Sequence, residues 1–241
     1  MNTQLKNQLI KLSQESPDKE ICGIIYTTLT DVLYYPCNNI SINPESSFEI
    51  SPLAYFEVEK LGKIYALFHS HVNENSDFSE QDKICAEEME LPIFCYSDVD
   101  KKLQEYRPPN YKSDLLQRPF IWGVYDCYDI VRDYYWNNYG ILIQNFDRDS
   151  SYMNFDTPII NENFTKLGFY TPENQIDIKI GDVILFKSFR RIYPHHFEIF
   201  VGNSKTLQHY MRKLSQIDFL KEGLLNKKNK IIRYNFDKTK K

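Results

Sequence analysis

The sequence predicts an α+β protein of two domains. Strand-like and helix-like segments alternate over residues 1–100, whereas the second half places one aromatic helix ahead of a run of strands. The length of 241 residues is sufficient for two domains with separate cores. Apolar residues make up 42% of the chain and charged residues 26%, a balance typical of a folded globular protein.

Charge and hydropathy exclude several classes of function. The chain has 29 basic and 33 acidic residues, a net charge of −4, so we expect no nucleic-acid partner. No apolar run approaches the roughly 18 residues that a membrane span needs, so no span is expected. Leu5, Leu9 and Leu12 recur on one side of the first sixteen residues, which predicts an amphipathic helix and not a signal peptide.

The elements of residues 1–100 follow from local patterns. After the first helix, EICGIIYTT and VLYYP are predicted strands because they are rich in β-branched and aromatic residues. Ala54, Val58 and Leu61 have helical spacing within LAYFEVEKLGK. The strand KIYALFHSH, the helix SEQDKICAEEME and a final strand LPIFCYS complete this half.

Residues 101–113 are predicted to be a linker, because they are polar, carry two adjacent prolines and show no apolar periodicity. The second domain is predicted over residues 114–241. It opens with a helix that ends at Gly140 and has an apolar stripe of Ile130, Val131, Tyr134 and Tyr135. An antiparallel meander of DVILFK, HFEIFVG, TLQHYM and KIIRYNF is expected to follow.

A candidate zinc site lies in the first half. His69 and His71 end a strand, and residues two apart on a strand project to the same face. Asp82, where the next helix begins, can complete a set of two histidines and one aspartate. Three protein ligands with a fourth position open to water are typical of catalytic zinc. Glu20, before the EICGII strand, is the predicted acceptor of the water proton.

These residues resemble the JAMM (MPN-type) metallopeptidases, whose pattern is a glutamate before a strand, then H-[ST]-H, then S-x-x-D after about seven residues. The resemblance implies a Zn²⁺ cofactor on His69, His71 and Asp82. It also implies that Glu20 is the general base and that Ser79 helps to hold the oxyanion.

Simpler interpretations remain open for each of these residues. Ser79 and Asp82 also form the pattern of a helix capping box, and Glu20 is compatible with a surface acid. Core hydrogen bonds are enough to explain the histidine pair. Val72 stands where the JAMM family usually has proline.

A candidate cysteine nucleophile lies in the second half. The chain has five cysteines and no C-x-x-C pair, so we expect reduced thiols. Cys127 follows Asp126 at the start of the aromatic helix, where helix N–H groups are expected to lower the thiol pKa. His196 begins the strand HFEIFVG and His209 lies on the next strand, so the two imidazoles are neighbours if these strands pair. A lone buried cysteine and a structural histidine pair are the simpler interpretations.

This half resembles the NlpC-type cysteine peptidases, which have a papain-like fold and cut amides in bacterial cell-wall peptides. The matching motifs are D-C-x-x-[LIV]-V at residues 126–131, G-D-x-[IVL] at 181–184 and H-x-x-I-[FY]-x-G at 196–202. The resemblance implies that Cys127 is the nucleophile, His196 the base and His209 the third polar residue.

The match to this family has two departures, and one further histidine lies outside its motif. Tyr128 and Asp129 replace the usual Ser-Gly after the cysteine. The tyrosine that commonly aids the oxyanion has no clear equivalent, Phe120 and Tyr125 being the nearest candidates. His195 does not fit the motif's spacing and ranks behind His196.

The order of the two domains resembles that of the K-type tail assembly proteins of lambda-like bacteriophages. In this interpretation, residues 1–100 are a JAMM/MPN-like zinc metallopeptidase and residues 114–241 an NlpC-type peptidase. The family implies other tail-tip proteins as partners and peptidoglycan peptides as substrate. It also implies the host cytoplasm during assembly and then the virion tail tip as location. Two alternatives are a structural tail-tip component with vestigial sites and a cellular JAMM peptidase that processes ubiquitin-like tags.

Overall fold

The computed structural model describes residues 1–148, 163–187, 193–220 and 229–239. The chain divides into two compact units, one of Asn2–Tyr111 and one of Lys112–Lys241 together with Met1. Each unit combines a β-sheet with helices, so the predicted α+β class is confirmed. Within the described residues, no helix has the length and apolar character needed to cross a membrane.

The N-terminal unit is a five-stranded sheet with three helices. Its elements are α1 (Thr3–Gln14), β1 (Cys22–Thr27), β2 (Val32–Cys37), α2 (Pro52–Leu61), β3 (Lys63–His71), α3 (Glu80–Met89), β4 (Ile93–Ser97) and β5 (Lys102–Tyr106). The strand order is β2-β1-β3-β4-β5, in which β3 and β4 are parallel. Parallel neighbours need a crossover connection, and α3 provides it. The end of β3 is therefore followed closely by the start of α3.

The core of this unit packs one sheet face against α2 and α3. Ile24 and Leu67 on the sheet join Val58 of α2 and Ala86 of α3 in one buried cluster. His69 lies two positions after Leu67 on β3 and so shares this face. His69 is therefore shielded from bulk water.

The strand β5 lies within residues 101–113, which the sequence predicts to be a linker. It pairs antiparallel with β4, from Ile93 opposite Tyr106 to Ser97 opposite Lys102. This is an edge strand, and all its residues are partly buried or exposed. The apolar alternation of a half-buried strand is therefore missing, which explains why the pattern did not reveal it. LPIFCYS is consequently not the last strand of its unit.

The C-terminal unit packs one helix on an antiparallel sheet. Its elements are α4 (Asp129–Tyr139), β6 (Phe169–Tyr170), β7 (Val183–Phe186), β8 (His196–Gly202), β9 (Lys205–Gln208), β10 (Gln216–Phe219), β11 (Lys230–Tyr234) and a 3₁₀ turn, Phe236–Thr239. The strand order is β10-β9-β8-β7-β11-β6, and every pair is antiparallel. The predicted antiparallel meander is confirmed for β7, β8 and β9. KIIRYNF, which forms β11, instead pairs with the other side of β7, and β6 and β10 are additions.

The predicted stripe of α4 forms the core of this unit. Ile130 and Tyr135 are buried in one cluster with Phe197, Ile199 and Leu207 of the sheet. The helix ends at Gly140, which adopts a left-handed conformation with φ of 65°. Because α4 packs on β8 and β9, Cys127, which lies two residues before the helix, comes close to Phe197 at the start of β8.

Candidate active sites

The end of β3 and the start of α3 bring His69, His71 and Asp82 together. The two histidine Nε2 atoms are 3.1 Å apart. The carboxylate of Asp82 places one oxygen 3.3 Å from Nε2 of His69 and the other 3.6 Å from Nε2 of His71. Two nitrogen or oxygen ligands of one tetrahedral zinc ion lie about 3.3 Å apart when each bond is about 2.0 Å. The two histidines therefore fit one zinc ion, and each faces a different oxygen of the neighbouring Asp82. Among the described residues, the group with one ligand atom each within 4.8 Å of the others is His69, His71 and Cys95.

Neighbouring groups orient the two imidazoles. Nδ1 of His71 lies 2.7 Å from the backbone oxygen of Asn75. A ring nitrogen that faces a carbonyl oxygen carries the proton, which leaves Nε2 with a lone pair for a metal. His69 is fully buried, and its ring stacks on Phe48 with centroids 4.6 Å apart.

Ser79 fixes the position of Asp82. Its hydroxyl and its backbone N–H both donate to Oδ2 of Asp82, at 2.7 and 2.8 Å, and the N–H of Asp82 donates back to the hydroxyl at 3.1 Å. This is a capping box at the start of α3. The capping interpretation is therefore correct, and the same bonds hold the carboxylate beside the histidines.

Glu20 lies in the same cleft as these groups. A cavity of about 280 Å³ is lined by Glu20, His71, Ser79 and Asp82, among others. Glu20 is only 4% exposed, so it is not a surface acid. Burial raises its pKa to about 7, although the charges of the two histidines oppose the shift. A carboxyl that titrates near neutrality suits proton transfer.

The serine between the two histidines also has a structural role. Oγ of Ser70 accepts a hydrogen bond from the N–H of Ile21 at 3.1 Å, and its N–H donates to the oxygen of Ile21 at 3.0 Å. Since Ile21 follows Glu20, these bonds hold the acid beside the histidine strand. Sequence analysis assigned Ser70 no role of its own.

Contacts between the two histidines and Asp82 shift the pKa of each of these groups. Burial acts to lower the pKa of both histidines, but hydrogen bonds with Asp82 and Cys95 raise it, to about 9 for His69 and about 11 for His71. Burial acts to raise the pKa of Asp82, and the bonds from the histidines hold it well below its usual range. Zinc binds neutral imidazole, so metal binding must release these protons.

In the C-terminal unit, Asp126 fixes the backbone around Cys127, which lies two residues before α4. Its Oδ1 accepts hydrogen bonds from the N–H groups of Tyr128 and Asp129, at 2.8 and 3.0 Å. Arg148 donates to Asp126 at 2.8 Å and to Asp129 at 2.5 Å, and all three side chains are buried. Asp126 thus caps the helix and fixes the backbone on both sides of Cys127.

The pKa of the Cys127 thiol differs from the expectation of a lowered value. Burial raises the pKa, and the charge of Asp126 adds to this effect. Arg148 and a hydrogen bond with the backbone of Phe197 lower it by less. The expectation is wrong because the capping aspartate occupies helix N–H groups and burial disfavours the thiolate. Cys127 therefore carries its proton at neutral pH.

We expect alkylation of Cys127 to follow this raised pKa. The rate of labelling by iodoacetamide, measured by mass spectrometry of the Cys127 peptide, should be slow at pH 7 and still rising above about pH 9. Cys37, which is only partly buried, is followed in the same digest as a second thiol, and burial raises its pKa to about 11. A labelling rate of Cys127 that reaches its plateau below pH 8 would contradict the raised pKa.

His196 begins β8 directly before Phe197, whose backbone contacts Cys127. The His196 ring stacks on Tyr210 with centroids 4.1 Å apart, and its Nε2 lies 3.7 Å from Oε1 of Glu198. The buried Glu198 carboxylate also accepts hydrogen bonds from Tyr210 at 3.1 Å and from Thr206 at 2.9 Å. Sequence analysis missed Glu198, although two-residue spacing on a strand could have placed it on the face of His196.

His209 is predicted to lie on the strand after β8, and that prediction is wrong. The strand β9 ends at Gln208, which pairs with Glu198, so His209 lies just past its end. Its ring packs against Phe120 with centroids 5.2 Å apart. Burial and the charge of Arg118 lower the pKa of His209 to about 4. A contact through which His209 would orient His196 is absent from the described hydrogen bonds and ring contacts.

Three further residues are candidates for the cysteine site: His195, Tyr125 and Phe120. His195 donates its N–H to the oxygen of Phe186 at 3.0 Å, and its ring lies 5.9 Å from the Phe186 ring. The Tyr125 ring lies under the guanidinium of Arg118 at 4.6 Å. Phe120 packs against Trp122 as well as His209. As an apolar residue, Phe120 offers no side-chain donor to an oxyanion.

The C-terminal unit matches a known family. The family described as NlpC/P60 matches residues 117–233, so the predicted NlpC-type domain is confirmed.

Two curated proteins are similar to the chain over a larger part of its length. One is Tail tip assembly protein K of Escherichia phage N15, 28% identical over 131 residues, which are 54% of this chain and 54% of that protein. The other is Tail tip assembly protein K of Escherichia phage lambda, 29% identical over 163 residues, 66% of this chain and 75% of that protein. The match thus spans about half the length of the N15 protein.

One solved structure is also similar. It is the solution structure of a protein from Desulfitobacterium hafniense, 19% identical, covering 43% of this chain and 78% of that chain with a TM-score of 0.36.

Proposed function

We propose that this chain is a bacteriophage tail-tip or tail assembly protein whose C-terminal unit hydrolyses an amide bond in peptidoglycan stem peptides. The observation that carries the proposal is the NlpC/P60 domain of residues 117–233. The similarity to two Tail tip assembly proteins K supports the tail assignment. The proposed partners are other tail-tip proteins. The proposed location is the host cytoplasm during assembly and the virion tail afterwards.

In the proposed reaction, Cys127 attacks the carbonyl carbon of the substrate amide. Because burial keeps the proton on the thiol, that proton must leave as the C–S bond forms. His196 accepts the proton and donates it to the amine that departs when the C–N bond breaks. Water, deprotonated by His196, then cleaves the thioester and restores the thiol.

Glu198 is the positioning residue for His196 in this proposal. Its carboxylate is held by Tyr210 and Thr206 and lies 3.7 Å from the imidazole. A buried carboxylate in this position favours the imidazolium that forms during proton transfer. The resemblance to the family implies this role for His209, which lies past the end of β9 with its ring against Phe120.

The proposed activity is tested with purified peptidoglycan and the intact protein. We expect mass spectrometry of the muropeptides to reveal shortened stem peptides on an unchanged glycan chain. Folded protein that yields no new products would oppose the proposal and favour the alternative of a structural tail component. Products with cut glycan would contradict the assignment of the bond class.

A second candidate function is zinc-dependent amide hydrolysis in the N-terminal unit. The ligand separations of 3.1, 3.3 and 3.6 Å among His69, His71 and Asp82 favour it. A zinc ion held there with an open coordination position would supply an acidified water molecule and polarise a substrate carbonyl. Glu20 takes up the proton in the shared cleft, and Ser79 keeps Asp82 oriented. The proposed reaction at this site is hydrolysis of a peptide or isopeptide bond. The alternative of a cellular peptidase that processes ubiquitin-like tags would use the same reaction.

We expect the intact protein to contain about one zinc ion per chain and His69→Ala to contain almost none, because one of three ligands is lost. Zinc content after dialysis is measured by mass spectrometry of the element. His195→Ala, which alters a histidine of the other unit, is the matched control and should retain its zinc. Equal zinc in wild type and His69→Ala would contradict this site.

A further inference from the structure

A fourth potential metal ligand lies beside the two histidines. Cys95 on β4 pairs in register with His69 on β3, and residues paired across neighbouring strands project to the same face. Cys95 is completely buried. One ligand atom from each of His69, His71 and Cys95 lies within 4.8 Å of the other two. The sheet therefore places a thiol at the candidate zinc site.

The separation of these atoms is close to that of a formed site. Bonds of about 2.3 Å to sulfur and about 2.0 Å to nitrogen hold the ligand atoms of a tetrahedral zinc ion about 3.5 Å apart. The three atoms lie within 4.8 Å of one another, so each pair needs to approach by no more than about 1.3 Å. Asp82 does not belong to this group, so a site with all four residues also requires its carboxylate and the sulfur to approach each other.

The other cysteines near the site lack this geometry. Cys22 is the partner of His69 on the opposite neighbouring strand, β1. Its Sγ lies 3.9 Å from the backbone oxygen of Cys37, and Cys22 does not belong to the histidine group. Cys85 lines the cleft with Asp82 but does not belong to the histidine group. All five cysteines are free thiols, so Cys95 is chemically available.

We propose that Sγ of Cys95 is the fourth protein ligand of the zinc ion at His69, His71 and Asp82. This inference rests on the second candidate function, because it requires a metal at that site. When the sulfur–zinc bond forms, the thiol proton passes to solvent.

Four protein ligands complete the tetrahedron and leave no position for water. The zinc site is then closed in its resting state, and Glu20 has no bound water to deprotonate. Zinc-dependent hydrolysis would require Cys95 to leave the metal first. This differs from the open, three-ligand site that the sequence pattern predicts.

The test replaces zinc by cobalt(II) in the full-length protein, because a cobalt–thiolate bond gives a charge-transfer band in the near ultraviolet. We expect wild type to bind one cobalt ion per chain and to have this band. Cys95→Ser should keep the cobalt and lose the band. Cys22→Ser, the matched control at the other partner of His69, should keep both.

The outcomes separate the two claims. One bound cobalt without the band in wild type, or an unchanged band in Cys95→Ser, overturns the ligand role of Cys95 and leaves the zinc site intact. A wild-type protein that binds no cobalt, or equal binding by His69→Ala, overturns the zinc site itself. If Cys95→Ser does not fold, X-ray absorption at the zinc edge of wild type decides. A sulfur neighbour at about 2.3 Å supports the inference, and nitrogen and oxygen neighbours alone refute it.

Discussion

Replacing His196 with alanine is expected to lower kcat/KM for stem-peptide hydrolysis by at least about 10³-fold, and Cys127→Ala should have an effect at least as large. The thiol of Cys127 has a raised pKa, so attack depends on a base that removes its proton. His196 is the proposed base, beside the residue whose backbone contacts Cys127. Initial rates with a synthetic stem peptide, followed by chromatography, measure the effect.

The control for this prediction is the neighbouring histidine. His195→Ala removes an imidazole of the same type one residue earlier, whose described ring contact is with Phe186. We expect its rate to stay close to that of wild type. A loss in His195→Ala equal to that in His196→Ala would show that the rate responds to any change at the start of β8, and the assignment of His196 as base would fall.

Arg148→Ala is expected to lower the free energy of unfolding of the C-terminal unit by about 3–5 kcal/mol, because removal of one partner leaves buried charges uncompensated. The guanidinium holds the carboxylates of Asp126 and Asp129, at 2.8 and 2.5 Å. Each of the three side chains is no more than 2% exposed. Urea unfolding followed by circular dichroism measures the change.

A surface ion pair of the same unit provides the control. Lys179 lies 3.9 Å from Asp177, and both side chains are more than half exposed. Exposed pairs contribute about 0–1 kcal/mol, so Lys179→Ala should change the free energy of unfolding by less than about 1 kcal/mol. If Arg148→Ala changes it as little as Lys179→Ala does, the buried network does not stabilise the unit as described.

The residues that the local patterns predict for a zinc site lie close together in the structure, and zinc binding by them stays a prediction. His69 and His71 share a strand face through their two-residue spacing, and Ser79 with Asp82 marks the start of a helix. The helix that connects β3 to the parallel strand β4 makes the two segments meet. Each of these features depends on residues that are close together in the sequence. The local sequence pattern is therefore sufficient to predict them.

Features that depend on strand pairing could not be predicted in the same way. The proximity of Cys95 to His69 comes from the register of β3 and β4, which α3 separates along the chain. The strand β9 ends at Gln208, one residue before His209, and the point where its pairing with β8 stops is not encoded in the local pattern. An edge strand such as β5 carries no apolar alternation to reveal it.

The thiol pKa illustrates a different limit. Position at the start of a helix predicts a lowered pKa for Cys127, but burial and the capping carboxylate of Asp126 outweigh that effect. Burial of one side chain depends on the packing of α4 against the sheet, to which residues far along the chain contribute. Sequence position alone therefore predicts the residue and not its protonation state.

The central claim is that Cys127 is the nucleophile of an amide hydrolase, and trapping the acyl intermediate tests it most directly. The intact protein is mixed with a stem-peptide substrate, quenched in acid and digested, and the peptides are analysed by mass spectrometry. We predict an acyl group of the substrate on the peptide that contains Cys127, removable by hydroxylamine. Continued hydrolysis by Cys127→Ala, with no adduct on the Cys127 peptide of wild type, would contradict the claim.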